Sequence, residues 1–192
     1  MTLPTEPPPA RPEPELGPQY VRELDPAKVQ AFEESRQAKQ NLGLAILAGS
    51  AAALLGAGLW AVITVVSDYQ IGWMAIGVAF LVGWSVRTFG KGVQPVFGLV
   101  GAGLALAGCL AGNFFTIAAV IAREEAAPLS AVFMFLVLNP SVDLELLVRT
   151  FSPLDLLFYG LALYYGYKYS FRPVTAAERE SLYRRRLLPP ER

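Results

Sequence analysis

Ile71-Gly-Trp-Met-Ala-Ile-Gly-Val-Ala-Phe-Leu-Val-Gly-Trp-Ser-Val86 runs into Arg87-Thr-Phe-Gly-Lys-Gly-Val-Gln-Pro95, and a second apolar run, Val96 to Ala122, follows at once. Two uncharged stretches joined by a short, basic, glycine-rich turn read as a membrane hairpin. A helix crossing the hydrocarbon core needs roughly 20 mostly apolar residues, fewer when aromatic and basic side chains reach the interface from its ends. The turn is too short to hold a domain, and Arg87 and Lys91 need water or lipid phosphate beside them.

The rest of the composition agrees. Of 192 residues, 54% are hydrophobic and 17% charged, more apolar and less charged than a soluble average. Almost no charge falls between Leu42 and Val86, and none between Val96 and Ala122. A soluble domain would scatter charge along its helices, so this pattern predicts an integral membrane protein. Cys109 is the only cysteine, which leaves no intramolecular disulfide. The first residues are rich in Pro and Glu, with neither the basic nor the apolar region of a cleavable signal.

Working outward, residues 1–24 read as a proline-rich, extended, disordered arm. Residues 25–41 read as a charged, membrane-proximal helix, opened by Asp25 as cap and Pro26 at the first position. A membrane domain over 42–171 follows, with spans at about 42–66, 71–87, 97–122 and 153–171. The first span carries Gly49, Ala52 and Gly56 at helical spacing, and the third carries Gly101, Gly108 and Gly112. Small residues let backbones approach in lipid, where packing holds helices together. Their partner is either another span of the same chain, the leading expectation, or another copy. The third span, richest in small residues, should be central.

Between the third and fourth spans, Leu129 to Leu138 is apolar but too short to cross, and Asn139-Pro140 ends it. It reads as a re-entrant or surface-lying helix, followed by an interfacial amphipathic one. Ser152-Pro153-Leu-Asp155 is a strong helix start. The tyrosines toward the end of the fourth span read as an interfacial aromatic belt. A second capping box, Thr175 to Glu178, opens a helix expected to continue to Leu187 within a basic tail, 172–192. The fold expectation is thus an all-α, four-span bundle. Fourteen Lys and Arg fall on the arm, second loop and tail, against Arg123 and Arg149 on the other side, which predicts cytoplasmic termini.

Chemistry is scarce. The chain has no His and a single Cys, so no usual metal site, no nucleophile–base set and no cofactor are expected, nor is nucleic-acid binding. No ionisable group sits at mid-span for a proton relay. Two features remain. Asn113 and Thr116, about one turn apart, form either a bond between helices or part of a polar path. Arg87 and Lys91, with glycines between, either set topology or present charge and backbone amides to a lipid headgroup.

Ile71-Gly-Trp-Met-Ala-Ile-Gly77, Val86-Arg-Thr-Phe-Gly-Lys-Gly92, Pro95-Val-Phe-Gly98, Gly108-Cys-Leu-Ala-Gly-Asn113 and Leu157-Phe-Tyr-Gly160 resemble a group of uncharacterised bacterial four-span membrane proteins, over about half the chain. The resemblance implies an inner-membrane location and a shared hairpin, and no activity. The leading functional expectation is a non-enzymatic scaffold or accessory subunit in the lipid bilayer, as a homo-oligomer or within a larger membrane complex. The alternative is a small oligomeric channel or lipid/solute carrier. A lipid-modifying enzyme ranks last.

Overall fold

A computed structural model describes residues 20–69 and 72–187 of the chain. In chain order the elements are β1 (Tyr20–Leu24), α1 (Pro26–Ala38), α2 (Leu42–Ser67), α3 (Met74–Gly90), α4 (Pro95–Glu124), α5 (Leu129–Leu138), α6 (Pro140–Thr150), α7 (Pro153–Tyr169), α8 (Ala176–Ser181) and β2 (Tyr183–Leu187). The described residues divide into two compact units, residues 20–31 with 174–187, and residues 32–173.

The larger unit is helical. Helices α3 and α4 pack on each other, and α2 and α7 each pack against both. α4 also carries α5 and α6, so the helix richest in small residues is the central one. The core is made of short side chains: Ala45, Ala57, Ala75, Ala79, Val82, Val86, Ala105, Cys109 and Ala162 are fully enclosed. The large aliphatics point outward, Leu55 being 71% and Val66 79% exposed. A water-soluble domain does the reverse. Along α2 the buried positions Ala45, Gly49, Ala52, Gly56 and Trp60 recur every three or four residues, so one stripe faces the other helices and the rest of the surface is apolar.

Helices α2 and α4, with 26 and 30 residues, are long and apolar enough to cross a membrane. At 1.5 Å per residue they reach about 39 and 45 Å. The α5–α6 pair, bent by 93°, is a third candidate if taken as one broken span. The bend has a local cause. Proline at the first position of α6 cannot donate a backbone bond to α5, and the Asn139 side chain folds back to donate to the Phe135 carbonyl at 2.8 Å. The stretches expected as spans at 71–87 and 153–171 form α3 and α7, helices of 17 residues each, shorter than α2 and α4 and not long enough to stand with them as crossing helices. Ile71 lies outside the described residues.

Caps follow the sequence signals. Asp25 accepts from the Ala27 amide at 3.1 Å. The Ser152 box closes with the Ser152 amide donating to Asp155 at 2.8 Å. The helix expected over 25–41 stops at Ala38, because Asn41 instead caps α2, accepting from the Leu44 amide at 2.9 Å.

The smaller unit departs most from expectation. The tail helix ends at Ser181, and Tyr183–Leu187 pairs antiparallel with Tyr20–Leu24, Glu23 opposite Arg184. Three consecutive arginines crowd like charge on a helix turn. The extended pairing instead brings Arg184 to 3.7 Å from Glu23, with Arg22 to Glu180 at 2.7 Å alongside. The last residues of the supposed disordered arm therefore form a strand. Residues 1–19, including the proline run, lie outside the described residues.

Candidate functional site

The small residues come first, because they set how near the helices lie. A Cβ on Gly49 would fall 2.6 Å from Leu104, one on Gly56 3.1 Å from Val78, and one on Gly108 2.8 Å from Val78. A Cβ on Gly112 would fall 3.0 Å from the Trp60 ring, and Ala52 is buried in the same core. Gly101 stands against Gly166 of α7, where a Cβ would meet the Gly166 carbonyl at 2.5 Å. All six predicted packing positions are thus occupied within the chain. Gly166, the reciprocal partner, has no counterpart among the sequence expectations, since one glycine among tyrosines carries no spacing signal.

With α2 and α4 this close, their polar residues converge. Asn113 is 93% buried, as 7% exposure remains, and its Nδ2 donates to the Tyr159 hydroxyl of α7. Thr116 returns its hydroxyl to the Gly112 carbonyl at 2.8 Å, which leaves its oxygen able to accept. From α2, Thr64 is 8% exposed, and its hydroxyl has no partner among the described residues. These three line a cavity of about 450 Å³, with Ile117 and Val120 of α4 and Leu146 of α6. The exposed carboxylates of Asp68 and Glu124 line it where α2 and α4 end. Arg123 ties those ends together, donating to Asp68 at 2.7 Å and to the Val65 carbonyl at 2.9 Å.

Asn113 and Thr116 therefore line one cavity; of the two, Asn113 bonds a neighbouring helix, and Thr116 bonds its own. Sequence reasoning missed Thr64, Tyr159 and the Asp68–Arg123 pair. Thr64 did carry a signal, as a lone hydroxyl near the end of an apolar span.

Arg87 and Lys91 lie at the other end of α3, lining a shallow cleft of about 470 Å³ with Arg172. The backbone of their turn is largely engaged. The Val93 and Gln94 amides donate to Gln40 Oε1 at 2.9 and 3.2 Å, and the Lys91 amide donates to the Arg87 carbonyl at 3.1 Å. What the cleft offers an anion is side-chain charge. Arg36 is buried, donating to the Arg172 and Pro173 carbonyls and lying 5.4 Å from the Phe32 ring centre. A cation counted for topology thus holds the chain leaving α7. Among the described residues no three His, Cys, Asp or Glu side chains converge as metal ligands.

No family model matches the chain, and no curated protein or solved structure matches it either.

Proposed function

We propose that this chain is a non-enzymatic integral membrane protein of the bacterial inner membrane that serves as a scaffold or accessory subunit of a larger assembly. Its four spans are α2, α3, α4 and α7, with both termini cytoplasmic. One observation carries the reading: the packing inside the chain leaves Gly58, Gly77, Gly103 and Gly160, one on each of these helices, with nothing within 4 Å of where a Cβ would stand. In lipid such sites let another helix approach closely. Helices α3 and α7 are about 25 Å long at 1.5 Å per residue, short for a crossing. Trp73, 70% exposed at the head of α3, and the tyrosines of α7 give them interfacial ends. The charge asymmetry of the loops supports the orientation.

The test is gentle purification from native membranes with mass spectrometry of what stays bound, repeated with Gly58→Leu and Gly103→Leu. Stoichiometric protein partners lost in those variants, with the helical fold intact, are the expected result. A lone chain or homo-oligomer unaffected by both contradicts it.

A second reading, a channel or a lipid/solute carrier, is favoured by one specific observation: Thr64, Asn113 and Thr116 line one cavity. Liposome flux that falls in Asn113→Leu is its expected signature.

A further inference from the structure

We infer that the cleft where α3 and α7 end is a binding site for a terminal phosphate group, carried either by a lipid headgroup or by a soluble phosphate. Arg87, Lys91 and Arg172 line it, with Thr88 and Pro173, and no carboxylate does. Lys91 is exposed, and the two arginines are half-buried. Elsewhere Arg22, Arg123, Arg149 and Arg184 each meet a carboxylate. The Arg87 and Lys91 side chains instead make no hydrogen bond and no ion pair among the described residues. The Arg172 and Pro173 carbonyls, which could repel an anion, are taken by Arg36. Thr88 spends its proton on the Trp84 carbonyl at 2.7 Å. The cleft thus offers an anion charged donors with no carboxylate to compete. A terminal phosphate has three acceptor oxygens and up to about two charges, enough to meet three cations at once. A carboxylate has only two oxygens.

The backbone behind these side chains is pinned. The Arg172 amide donates to the Gly92 carbonyl at 3.0 Å, and the Asn41 amide to the Gly90 carbonyl at 2.9 Å. Gln40 takes the Val93 and Gln94 amides. A Cβ on Gly90 would fall 2.6 Å from Ala45, and one on Gly92 would overlap the Phe97 ring. With the turn held from its inner side, binding has little left to order. Cations that only set topology need to lie in the loop; they need neither a common cleft nor a pinned turn. Lys91 itself stands in the left-handed region, φ 51° and ψ 31°, where a helix usually ends on glycine. Trp84 and Phe89, exposed on the last turns of α3, suit the interfacial depth at which a lipid headgroup lies. The site holds whether the chain acts as a scaffold or as a carrier.

The experiment uses the full chain in maltoside detergent, freed of native lipid, with dihexanoyl phosphatidic acid, dihexanoylglycerol and inorganic phosphate as probes in calorimetric titration. Dihexanoylglycerol is the same lipid body without phosphate. The expected result is at least one phosphate probe binding about tenfold or more tighter than dihexanoylglycerol, as a charge-assisted hydrogen bond implies. Arg87→Gln and Lys91→Gly should each weaken that binding about tenfold. Lys91→Gly removes the charge and keeps the turn, because glycine adopts the left-handed backbone freely, so its unfolding midpoint should not fall. Arg149→Gln, which removes a cation paired with Glu145, should bind like the wild type. Neither phosphate binding more tightly than dihexanoylglycerol, or Arg87→Gln and Lys91→Gly both binding like Arg149→Gln, overturns the inference. Inorganic phosphate binding at least as tightly as the phosphatidic acid assigns the site to a soluble phosphate. Tighter binding of the phosphatidic acid assigns it to a lipid headgroup.

Discussion

At Gly101 and Gly166 a single methyl group decides whether two helices can touch. The two glycines face each other, so a Cβ on either would press on the other's backbone carbonyl, at 2.5 Å and 2.7 Å. Backbone cannot yield as a side-chain tip can. Gly101→Ala should therefore destabilise the fold by about 1–3 kcal/mol through overpacking, measured by unfolding in mixed detergent micelles. Gly103→Ala is the matched control, since nothing stands within 4 Å of its Cβ position. It should be neutral, or stabilising by up to about 1 kcal/mol from helix propensity. Equal losses in both would mean that the α4–α7 approach is not what these glycines serve. Arg36 gives a second residue-level test. Its guanidinium caps the Arg172 and Pro173 carbonyls from a buried position, so Arg36→Met should cost about 1.5–3 kcal/mol, the usual worth of a hydrogen bond to a charged donor. Asn113→Leu and Tyr159→Phe remove one shared bond, each by about 0.6 kcal/mol, the average for membrane helices. In a double-mutant cycle their effects should fall short of additive.

At the scale of elements, helix starts were the most legible feature, because each is written in adjacent residues. Ser152, Pro153 and Asp155 are sufficient to place α7. Ser152→Ala should cost about 1 kcal/mol, a typical N-cap loss, seen as a lower unfolding midpoint with the amide of Leu154 left unpaired. Stripes of small residues were legible too, since 3.6-residue periodicity shows which face of α2 is narrow. The side each stripe served was less so. Spacing gives a face but not the neighbour on it, and the structure resolves that neighbour as α3 and α4. The polar cavity was legible only in part, through Asn113 and Thr116. Its other wall, Thr64, lies about fifty residues away in sequence, and only packing brings it near. The strand pair was not legible at all. Tyr20–Leu24 and Tyr183–Leu187 alternate no apolar face, and a ladder between chain ends depends on a partner that local propensity cannot indicate.

For the whole molecule, a core of alanine, valine and glycine beneath an outer layer of leucine and valine suits a protein whose solvent is lipid. Burial of large apolar groups contributes little to such a fold, and close approach contributes most. Apart from the buried Asn113–Tyr159 bond, charge gathers at the ends of the helices: the Asp68 and Glu124 carboxylates where α2 and α4 finish, and Arg87, Lys91 and Arg172 where α3 and α7 finish. The direction of insertion proposed above, with cytoplasmic termini, is the central claim. It requires α5 and α6 to remain on one side of the membrane, bent at Asn139, since a fifth crossing would separate the termini. The most direct measurement is cysteine accessibility in intact cells, in a Cys109→Ala background, with single cysteines at Tyr69, Lys91, Ala126, Ser152 and Thr175. Labelling by a membrane-impermeant maleimide at 69, 126 and 152, with 91 and 175 reacting only after permeabilisation, is the predicted result. Labelling at 175 in intact cells, or protection at 152 together with exposure at 126, would contradict four crossings and the orientation built on them.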